Sequence, residues 1–363
     1  MADEATNRAS FEIQAGYCDA MAAPVTALVS RALGRRLTRD TLTGARVLDW
    51  PGEPVADALV LRLVGGLHAL ARSGSDPALA TLFSGAVSEP GAVERILTAA
   101  IAAHDARLLP WLDGPPQTNE VARSAGLMTG ILHLAARFGP TIEVLEIGSS
   151  AGLNLLIGRL RFDLGGVMAG PADAPLTIRP DWRGPPPPDA PVEVVAARGV
   201  DIAPVDVADP AQADRLAAYV WADARDRMAR LDTALAMVRE RPVMIEQGDA
   251  ADWVERELAR PQLEGTTRVL MHSVVWQYLS DASHARITAA MVAAGDRATA
   301  ERRLGWVMME PNRDLKRHEV RVTGWPGGGL PMEVVALTHA HGAWVEGLAP
   351  PYATTDYVMR ASG

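Results

Sequence analysis

The residues whose types and spacing best suit chemistry lie in one turn, Glu146–Asn154 (EIGSSAGLN). The run Thr141–Ile147 predicts a buried strand before the turn, and Ala151–Arg159 is predicted to be a helix that opens directly after it. Because glycine has no Cβ, such a turn can bring backbone N–H groups close to a ligand. Glu146, at the carboxyl end of the strand, can offer a carboxylate to a hydroxyl or a cation. We therefore expect a ligand site at this edge of a sheet.

The turn resembles motif I of class I S-adenosylmethionine-dependent methyltransferases, whose pattern is Glu/Asp-x-Gly-x-Gly-x-Gly. Glu146, Gly148 and Gly152 fall on the first, second and fourth fixed positions of that pattern. Ser150 replaces the middle glycine, which makes the loop less permissive at that point. The resemblance implies that the cofactor is S-adenosylmethionine, held by Glu146, Gly148, Ser149, Ser150, Gly152 and Asn154.

The same resemblance implies two further contacts to the cofactor. An acid that ends the second strand usually holds the ribose hydroxyls, and Asp163 and Asp201 both suit this role. We favour Asp201 slightly, on the condition that residues 160–191 are an insertion. Asp249 follows the third strand, which is predicted at Val243–Glu246. It would accept a hydrogen bond from the adenine amino group, while the Ala250 N–H donates to a ring nitrogen. Asp249 is equally suited to cap the helix that follows it.

The acceptor side of the predicted site lies at the ends of the fourth and fifth strands, which are predicted at Thr267–Val275 and Leu304–Met309. The segment His272–Trp276 resembles the one that faces the methyl acceptor in small-molecule methyltransferases. His272 is the candidate general base, because histidine titrates near neutral pH, and a buried structural histidine is the equal alternative. Glu310 is predicted to contact the substrate or else to stabilise a loop, and Trp276 is predicted to contact the acceptor.

The whole chain is also similar to a bacterial family of unknown function, DUF2332, and the similarity implies no settled activity. The stretches that carry it are Gln117–Ser124, Leu145–Leu155, Arg198–Pro204, Val220–Asp223 and Val275–Leu279. The first stretch is polar and starts a helix, so it either caps that helix or lines the substrate cleft. Its candidate substrate residues are Gln117, Asn119, Glu120 and Arg123.

The elements that position these motifs fall into two regions, because the pattern of apolar residues changes near Thr141. Residues 1–139 are predicted to be an α-helical region, with helices at Ala56–Ala71, Ala92–Leu109 and Val121–Phe138. Residues 140–363 alternate short apolar runs with helical stretches, which is typical of a parallel α/β sheet. The predicted fold is therefore α/β, a Rossmann-like class I methyltransferase sheet preceded by the helical region.

Three segments of the second region call for separate predictions. The Pro/Gly-rich stretch 165–191 is predicted to be an irregular insertion. The segment Asp209–Arg239 is predicted to be helical with one break near Asp223. The strands Met332–Thr338 and Ala343–Leu348 are separated by too few residues for a crossover helix, so the sheet is predicted to end in an antiparallel hairpin.

Composition narrows the classes of function. The 363 residues carry 35 Lys and Arg against 44 Asp and Glu, a formal charge of −9, so general binding to nucleic acid or an anionic membrane is not expected. The single lysine, Lys316, excludes a Walker-type phosphate loop. With one cysteine, Cys18, and no third ligand for His339 and His341, no metal site is predicted. The lack of a signal-peptide pattern or long apolar run predicts a cytoplasmic protein.

The predicted function is methyl transfer from S-adenosylmethionine to an unknown small-molecule acceptor, with the helical region acting as a lid that excludes water. Two alternatives stay open. An NAD(P)-dependent oxidoreductase also suits a glycine turn with a distal acid. A catalytically silent, Rossmann-like ligand-binding or regulatory protein is compatible with Ser150 in place of the middle glycine. The sequence gives no indication of the oligomeric state.

Overall fold

Helices make up the N-terminal part of the protein, and the computed structural model describes residues 3–355. The α-helices are α1 (Glu4–Ala20), α2 (Pro24–Arg36), α3 (Leu42–Leu48), α4 (Leu59–Arg72), α5 (Pro77–Phe83), α6 (Pro90–Ala103), α7 (Asp105–Leu108), α8 (Ser124–Phe138), α9 (Pro210–Ala218), α10 (Arg225–Glu240), α11 (Ala250–Ala259) and α12 (Asp281–Gly295). The three helices predicted before residue 140 are confirmed as α4, as α6 followed by α7, and as α8. None of the helices between residues 3 and 355 is both long enough and apolar enough to span a membrane.

The chain divides into two compact units, of which the first comprises residues up to Thr118 together with Ala208–Ala229. Residues three or four apart share one face of a helix, so α4 can bury Leu59, Leu63 and Leu67 together, and each of them is 0% exposed. These leucines belong to an apolar core that α2, α5 and α6 complete.

The predicted break near Asp223 is confirmed, because α9 ends before this residue and α10 begins after it. The Asp223 carboxylate accepts hydrogen bonds from the N–H groups of Val25 and Thr26, at 2.8 and 3.0 Å, and so caps the start of α2. An acidic cap satisfies N–H groups that the helix itself cannot pair. The break thus serves the packing of the first unit.

The second unit comprises Asn119–Val207 and the residues from Arg230 onward, and it is built on a large sheet. Its strands are β1 (Thr141–Ile147), β2 (Arg161–Leu164), β3 (Val167–Ala169), β4 (Thr177–Ile178), β5 (Asp181–Arg183), β6 (Glu193–Asp201), β7 (Met244–Gln247), β8 (Thr266–Ser273), β9 (Arg302–Asn312), β10 (Arg317–Trp325), β11 (Met332–Thr338), β12 (Trp344–Gly347) and β13 (Thr354–Thr355). The main sheet has the order β5-β12-β11-β10-β9-β8-β1-β6-β7, with β13 beside β11. β7, β6, β1, β8 and β9 run parallel, so their carboxyl ends meet at one edge.

Helices cover both faces of the parallel part of this sheet. Along β9, Gly305 and Val307 face α8, where an added Cβ on Gly130 would lie 2.5 Å from Val307. The alternate residues Trp306 and Met308 join a core formed with α11 and α12. Because both faces are covered, β1 and β8 carry short apolar or β-branched runs, and this is why both strands could be predicted.

The sheet ends in an antiparallel meander. The predicted terminal hairpin is confirmed, because β11 and β12 pair in antiparallel register. The sequence did not predict β10, which lies between β9 and β11. Its residues Glu319 and Arg321 are both buried and form an ion pair at 2.8 Å. Charged side chains can occupy a buried strand when they are paired with each other.

Two local predictions were wrong. The helix predicted at Ala151–Arg159 is a single 3-10 segment, Leu153–Gly158, which follows Gly152 in the left-handed conformation. The stretch 165–191, predicted to be irregular, contains short strands: β3 and β4 flank β2 in a separate three-stranded sheet, and β5 pairs with β12 at the edge of the main sheet. Strands of two or three residues are too short to show a period-two pattern.

Candidate active site at the carboxyl edge of the parallel strands

The parallel strands bring several of the predicted residues to one edge. Glu146 lies near the end of β1, Asp201 ends β6, and the neighbouring strands β8 and β9 carry His272 and Glu310 near their own ends. In register, Glu146 lies beside Gly199 of β6 and Met271 of β8. Strands that follow β1 in the chain lie on both of its sides, so this edge is the point at which ligands bind in open α/β sheets.

Glu146 is buried, with 1% of its surface exposed. Its Oε1 accepts a hydrogen bond from Asn154 Nδ2 at 2.9 Å, and the same amide group also donates to Ser273 Oγ at 3.3 Å. Its Oε2 is buried and has no hydrogen-bond partner. Burial, assisted by the negative charge of Asp201, raises the pKa of Glu146 to about 8. The site therefore holds a carboxyl group that stays largely protonated at neutral pH unless a cation or donor approaches it.

The backbone of the turn is tied to the end of β6. The N–H groups of Gly148 and Ser149 donate to the Val200 carbonyl at 2.9 and 3.1 Å. The Ser150 N–H donates to Asp201 Oδ2 at 2.8 Å. The expectation that the N–H groups of this turn face a ligand is therefore wrong for these three amides. They instead fix the position of Asp201 relative to β1.

The two glycines of the turn serve backbone geometry and packing. Gly148 has a φ of +69° and Gly152 a φ of +73°, values that favour glycine. An added Cβ on Gly148 would overlap Val275, and one on Gly152 would lie 2.5 Å from Val243 Cγ2. Each missing Cβ is thus explained by a neighbouring side chain of the protein.

This packing makes Gly152→Ala a destabilising substitution. We expect the free energy of unfolding to fall by about 2–4 kcal/mol, because the left-handed backbone is strained for alanine and the new methyl group meets Val243. Urea unfolding monitored by circular dichroism measures the loss. Gly265→Ala is the matched control, since Gly265 has a φ of +78° and open space around its Cα. Equal losses in both variants would contradict the role of Val243.

The sheet topology distinguishes the two candidates for the ribose-binding acid, because they lie in different sheets. Asp201 ends β6, the strand next to β1, and accepts from the N–H groups of Ser150 and Ala203. Asp163 lies on β2 in the smaller sheet, where it pairs with Arg179 at 2.8 Å. Asp163 is therefore not at the carboxyl edge beside β1, and this candidate is corrected. Asp201 keeps lone pairs on both oxygens for hydroxyl donors.

Asp249 caps α11, as its alternative interpretation predicted. Its Oδ1 accepts from the N–H groups of Ala251 and Asp252, at 2.9 and 3.0 Å. The carboxylate is exposed and follows the carboxyl end of β7, so Oδ2 can accept a further donor. Ala250 is the first residue of the helix and is half-buried. Capping and a contact to a ligand are thus compatible at Asp249.

His272 is fully buried and both of its ring nitrogens are engaged. Nδ1 lies 2.7 Å from Glu310 Oε1, and Nε2 lies 3.2 Å from the indole Nε1 of Trp306. Since the indole N–H can only donate, Nε2 accepts and the proton of a neutral ring is on Nδ1. In this arrangement His272 has no free lone pair for an acceptor proton. Its general-base role stays a prediction that requires the Trp306 bond to open.

Glu310 organises the loop that follows β8. Besides His272, its Oε1 accepts from the N–H groups of Val275 and Trp276, at 3.1 and 3.3 Å, while Oε2 is buried without a partner. The Trp276 ring is 2% exposed and stacks between the rings of His272 and His284, at centroid distances of 5.0 and 4.4 Å. These side chains form a packed interior wall of the site, and the loop-stabilising alternative for Glu310 is the one seen.

Residues 8–346 match the family described as "Uncharacterized protein conserved in bacteria (DUF2332)". The chain belongs to the DUF2332 family. No curated protein and no solved structure matches it.

The stretches that resemble DUF2332 are distributed over both units. Leu145–Leu155, Arg198–Pro204 and Val275–Leu279 converge at the carboxyl edge, where they carry the turn, Asp201 and the Glu310-bound loop. Val220–Asp223 lies in the first unit, where Asp223 caps α2. The fifth stretch spans the boundary between the units.

The candidate substrate residues of the fifth stretch, Gln117–Ser124, make different contacts. Asn119 reaches the turn, because its Nδ2 donates to the Ser149 carbonyl at 2.8 Å, and its Oδ1 is buried without a partner. Glu120 caps the 3-10 segment Val121–Arg123 through the Ala122 N–H. Arg123 Nε donates to the Ala340 carbonyl at 2.9 Å. Gln117 belongs to the first unit.

The sequence placed Ser273 and Val275 of this DUF2332 protein in the segment predicted to face the acceptor but gave neither residue a role of its own. Ser273 ends β8 and accepts from Asn154, while Val275 packs against Gly148. A usable signal existed for Ser273, which follows His272 directly at a strand end. Within residues 3–355, no three His, Cys, Asp or Glu side chains form a group that could hold a metal ion.

Proposed function

We propose that this DUF2332 protein binds S-adenosylmethionine at the carboxyl edge of its parallel strands and transfers the methyl group to a small-molecule acceptor. The five parallel strands, numbered by their order in the chain, lie in the order 3-2-1-4-5. This is the order of a doubly wound, Rossmann-like sheet, in which the ligand binds where the strand order reverses. Here that point lies between β1 and β8, at the end of β1 that carries Glu146.

The observation that carries the proposal is the buried, unpartnered Oε2 of Glu146. This oxygen lacks a partner whether the carboxyl group is neutral or ionised, and a ligand ammonium group would both pair it and favour the ionised form. Among the described residues at this edge, Asn154 Oδ1 and Asn119 Oδ1 are likewise buried acceptors without partners. The set favours a ligand rich in donors and positive charge, and the amino group and sulfonium of S-adenosylmethionine provide both.

The same geometry argues against a nicotinamide dinucleotide. A pyrophosphate is normally held by free backbone N–H groups at a glycine turn. The N–H groups of Gly148, Ser149 and Ser150 are already paired within the protein. The residues present therefore fit a cationic cofactor better than an anionic one.

Other residues of the chain would orient the cofactor. Asp201 would accept from the ribose hydroxyls and Asp249 Oδ2 from the adenine amino group, while Glu146 would face the amino group. The cofactor supplies a methyl group on a positively charged sulfur, and the protein supplies alignment of the acceptor. A neutral acceptor must lose a proton, and His272, oriented by Glu310, is the residue that would take it once Nε2 turns away from Trp306.

Asp249→Asn separates the ligand role of this residue from its capping role. Asparagine is an equally good cap, and both capping bonds go to Oδ1. The substitution replaces the acceptor at Oδ2 by an NH₂ group, so we expect the affinity for S-adenosylmethionine to fall by about 10–100-fold. Isothermal titration with S-adenosylmethionine and S-adenosylhomocysteine measures this change, with circular dichroism as the test of folding.

Asp209→Asn is the matched control, because Asp209 caps α9 in the first unit. It should leave the affinity within about twofold of the unmodified chain. Absence of binding to both sulfur compounds would remove the proposal, and binding of NAD(H) or NADP(H) instead would support an oxidoreductase.

One observation favours a second candidate, a silent ligand-binding protein. Both nitrogens of His272 are engaged and its side chain is 0% exposed, so the candidate base does not reach an acceptor in this arrangement. Such a protein would bind S-adenosylmethionine with the same dependence on Asp249. It would show no production of S-adenosylhomocysteine when incubated with S-adenosylmethionine and a broad set of small nucleophiles.

A further inference from the structure

The opposite edge of the sheet carries a basic pocket. It lies where β8 and β9 begin, beside the ends of α11 and α12, and has a volume of about 290 Å³. Four arginines line it, Arg260, Arg268, Arg297 and Arg302, and none of its lining residues is acidic. In a protein with a formal charge of −9, this concentration of guanidinium groups requires a physical explanation.

Arg268 forms the rigid floor of this pocket. It is 3% exposed, and its Nε donates to Glu143 Oε2 at 2.7 Å. Nη1 donates to the carbonyls of Glu257 and Arg260, and Nη2 donates to the carbonyl of Pro261. These bonds use four of the five N–H groups of a guanidinium and leave one on Nη2. The buried arginine is thus held in place with a donor still available.

The arginines nearer the surface keep more of their donors. Arg297 Nη1 donates to the Ala293 carbonyl at 2.7 Å, and Arg297 forms no ion pair with any carboxylate of the described residues. Arg302 donates to the Gln262 carbonyl and pairs with Glu264 at 2.7 Å. Both side chains are exposed. Their remaining N–H groups can therefore turn toward a ligand at little structural cost.

The pocket arginines donate hydrogen bonds to carbonyl groups at the ends of α11 and α12. These bonds explain part of the arginine cluster but not its positive charge. The carboxylates paired with the pocket arginines and with neighbouring Arg198 are Glu143, Glu257 and Glu264. Arg260, Arg268 and Arg302 each pair with one of these carboxylates, whereas Arg297 has no carboxylate partner among the described residues. The two helix ends add only about one negative charge in total. The charged side chains that line the pocket itself are all arginines.

We propose that this pocket is a second ligand site, for a small anion that carries phosphate groups. The planar fork of arginine matches two oxygens of a phosphate, and four arginines line a space that suits a small molecule. Arg297 and Arg302 keep several N–H groups that a ligand could use, and Arg268 keeps one. All of the pocket residues belong to the second unit, and they lie at the edge opposite Glu146. The site is therefore distinct from the proposed cofactor site, and its occupancy does not depend on methyl transfer.

Titration of the full chain with sodium pyrophosphate at constant ionic strength tests the site. Arg297→Gln removes a pocket guanidinium that is exposed, and we expect it to weaken pyrophosphate binding by about tenfold. Arg286→Gln is the matched control, because Arg286 lies on α12 outside the pocket and pairs with Asp252 and Glu255. The control should change the affinity by less than about twofold.

Three results would overturn the proposal. The first is no heat or thermal shift with pyrophosphate beyond that of sodium chloride at matched ionic strength. The second is an equal loss in Arg297→Gln and Arg286→Gln, which would indicate a general charge effect. The third is tighter binding of citrate than of pyrophosphate, which would exclude phosphate as the preferred group. Parallel titration with S-adenosylmethionine keeps failure here separate from failure of the proposed function, since Arg297→Gln should leave that affinity unchanged.

Discussion

Glu310→Ala should lower the free energy of unfolding by about 5 kcal/mol, because one carboxylate oxygen pairs three buried or half-buried donors. The donors are His272 Nδ1 and the N–H groups of Val275 and Trp276, at 2.7, 3.1 and 3.3 Å. Alanine leaves all three without a partner in an interior that excludes water. It also frees the loop that packs Val275 against Gly148, so the turn after β1 should loosen in the same variant.

Urea unfolding followed by circular dichroism and tryptophan fluorescence measures this loss. Glu310→Gln keeps one accepting oxygen and should cost clearly less than alanine. Glu333→Ala is a surface control, since Glu333 is an exposed residue of β11, and we expect a change within about 0.5 kcal/mol. A loss of similar size in Glu310→Ala and Glu333→Ala would show that the loop does not depend on this carboxylate.

Glu146→Gln should stabilise the protein at alkaline pH and change little at acidic pH. The pKa of Glu146 rises from 4.5 to about 8 on folding, mainly because the group is buried. Between these values the folded chain keeps a proton that the unfolded chain has released. Stability is therefore lost as pH rises through this window, by up to about 1.4 kcal/mol per pH unit, and by about 5 kcal/mol in total. Glutamine cannot ionise and escapes the loss.

The measured quantity is the difference in unfolding free energy between Glu146→Gln and the unmodified chain, followed from about pH 5 to about pH 8.5. Taking the difference removes the contributions of other titrating groups to the unfolding free energy. One of these groups is His68. Burial lowers its pKa to about 4, so its titration changes stability below pH 6.5. Glu333→Gln should give a difference that does not vary with pH. A flat difference for Glu146→Gln as well would show that Glu146 is ionised in the folded protein at neutral pH.

The sequence was sufficient wherever the pattern of a single segment decides the structure. β1 and β8 are covered on both faces and read as apolar runs, and the short link between β11 and β12 permits only an antiparallel hairpin. The break between two helices near Asp223 was also predicted from the local sequence pattern. The position of Glu146 at a strand end, before a glycine turn, also followed from local pattern alone.

Local pattern failed where a distant partner changes what a side chain can do. β10 was not predicted, and its charged residues Glu319 and Arg321 lie in the core because they pair with each other. The chain following the turn reads as a helix, yet it forms only a 3-10 segment after the left-handed Gly152. Neither pairing across strands nor the sign of a φ angle can be deduced from hydrophobic spacing.

The sequence by itself determined the α/β class, the parallel strands and the chemical types of the residues at their ends. The tertiary structure decided which of those residues meet and what each one can still bind. Asp201 lies beside β1 and Asp163 does not, because β6 and not β2 is the neighbouring strand. His272 has lost its free lone pair to Trp306, while Glu146 keeps an unpartnered oxygen. Hydrogen-bonding capacity depends on neighbours that are remote in the chain, so only the fold could settle it.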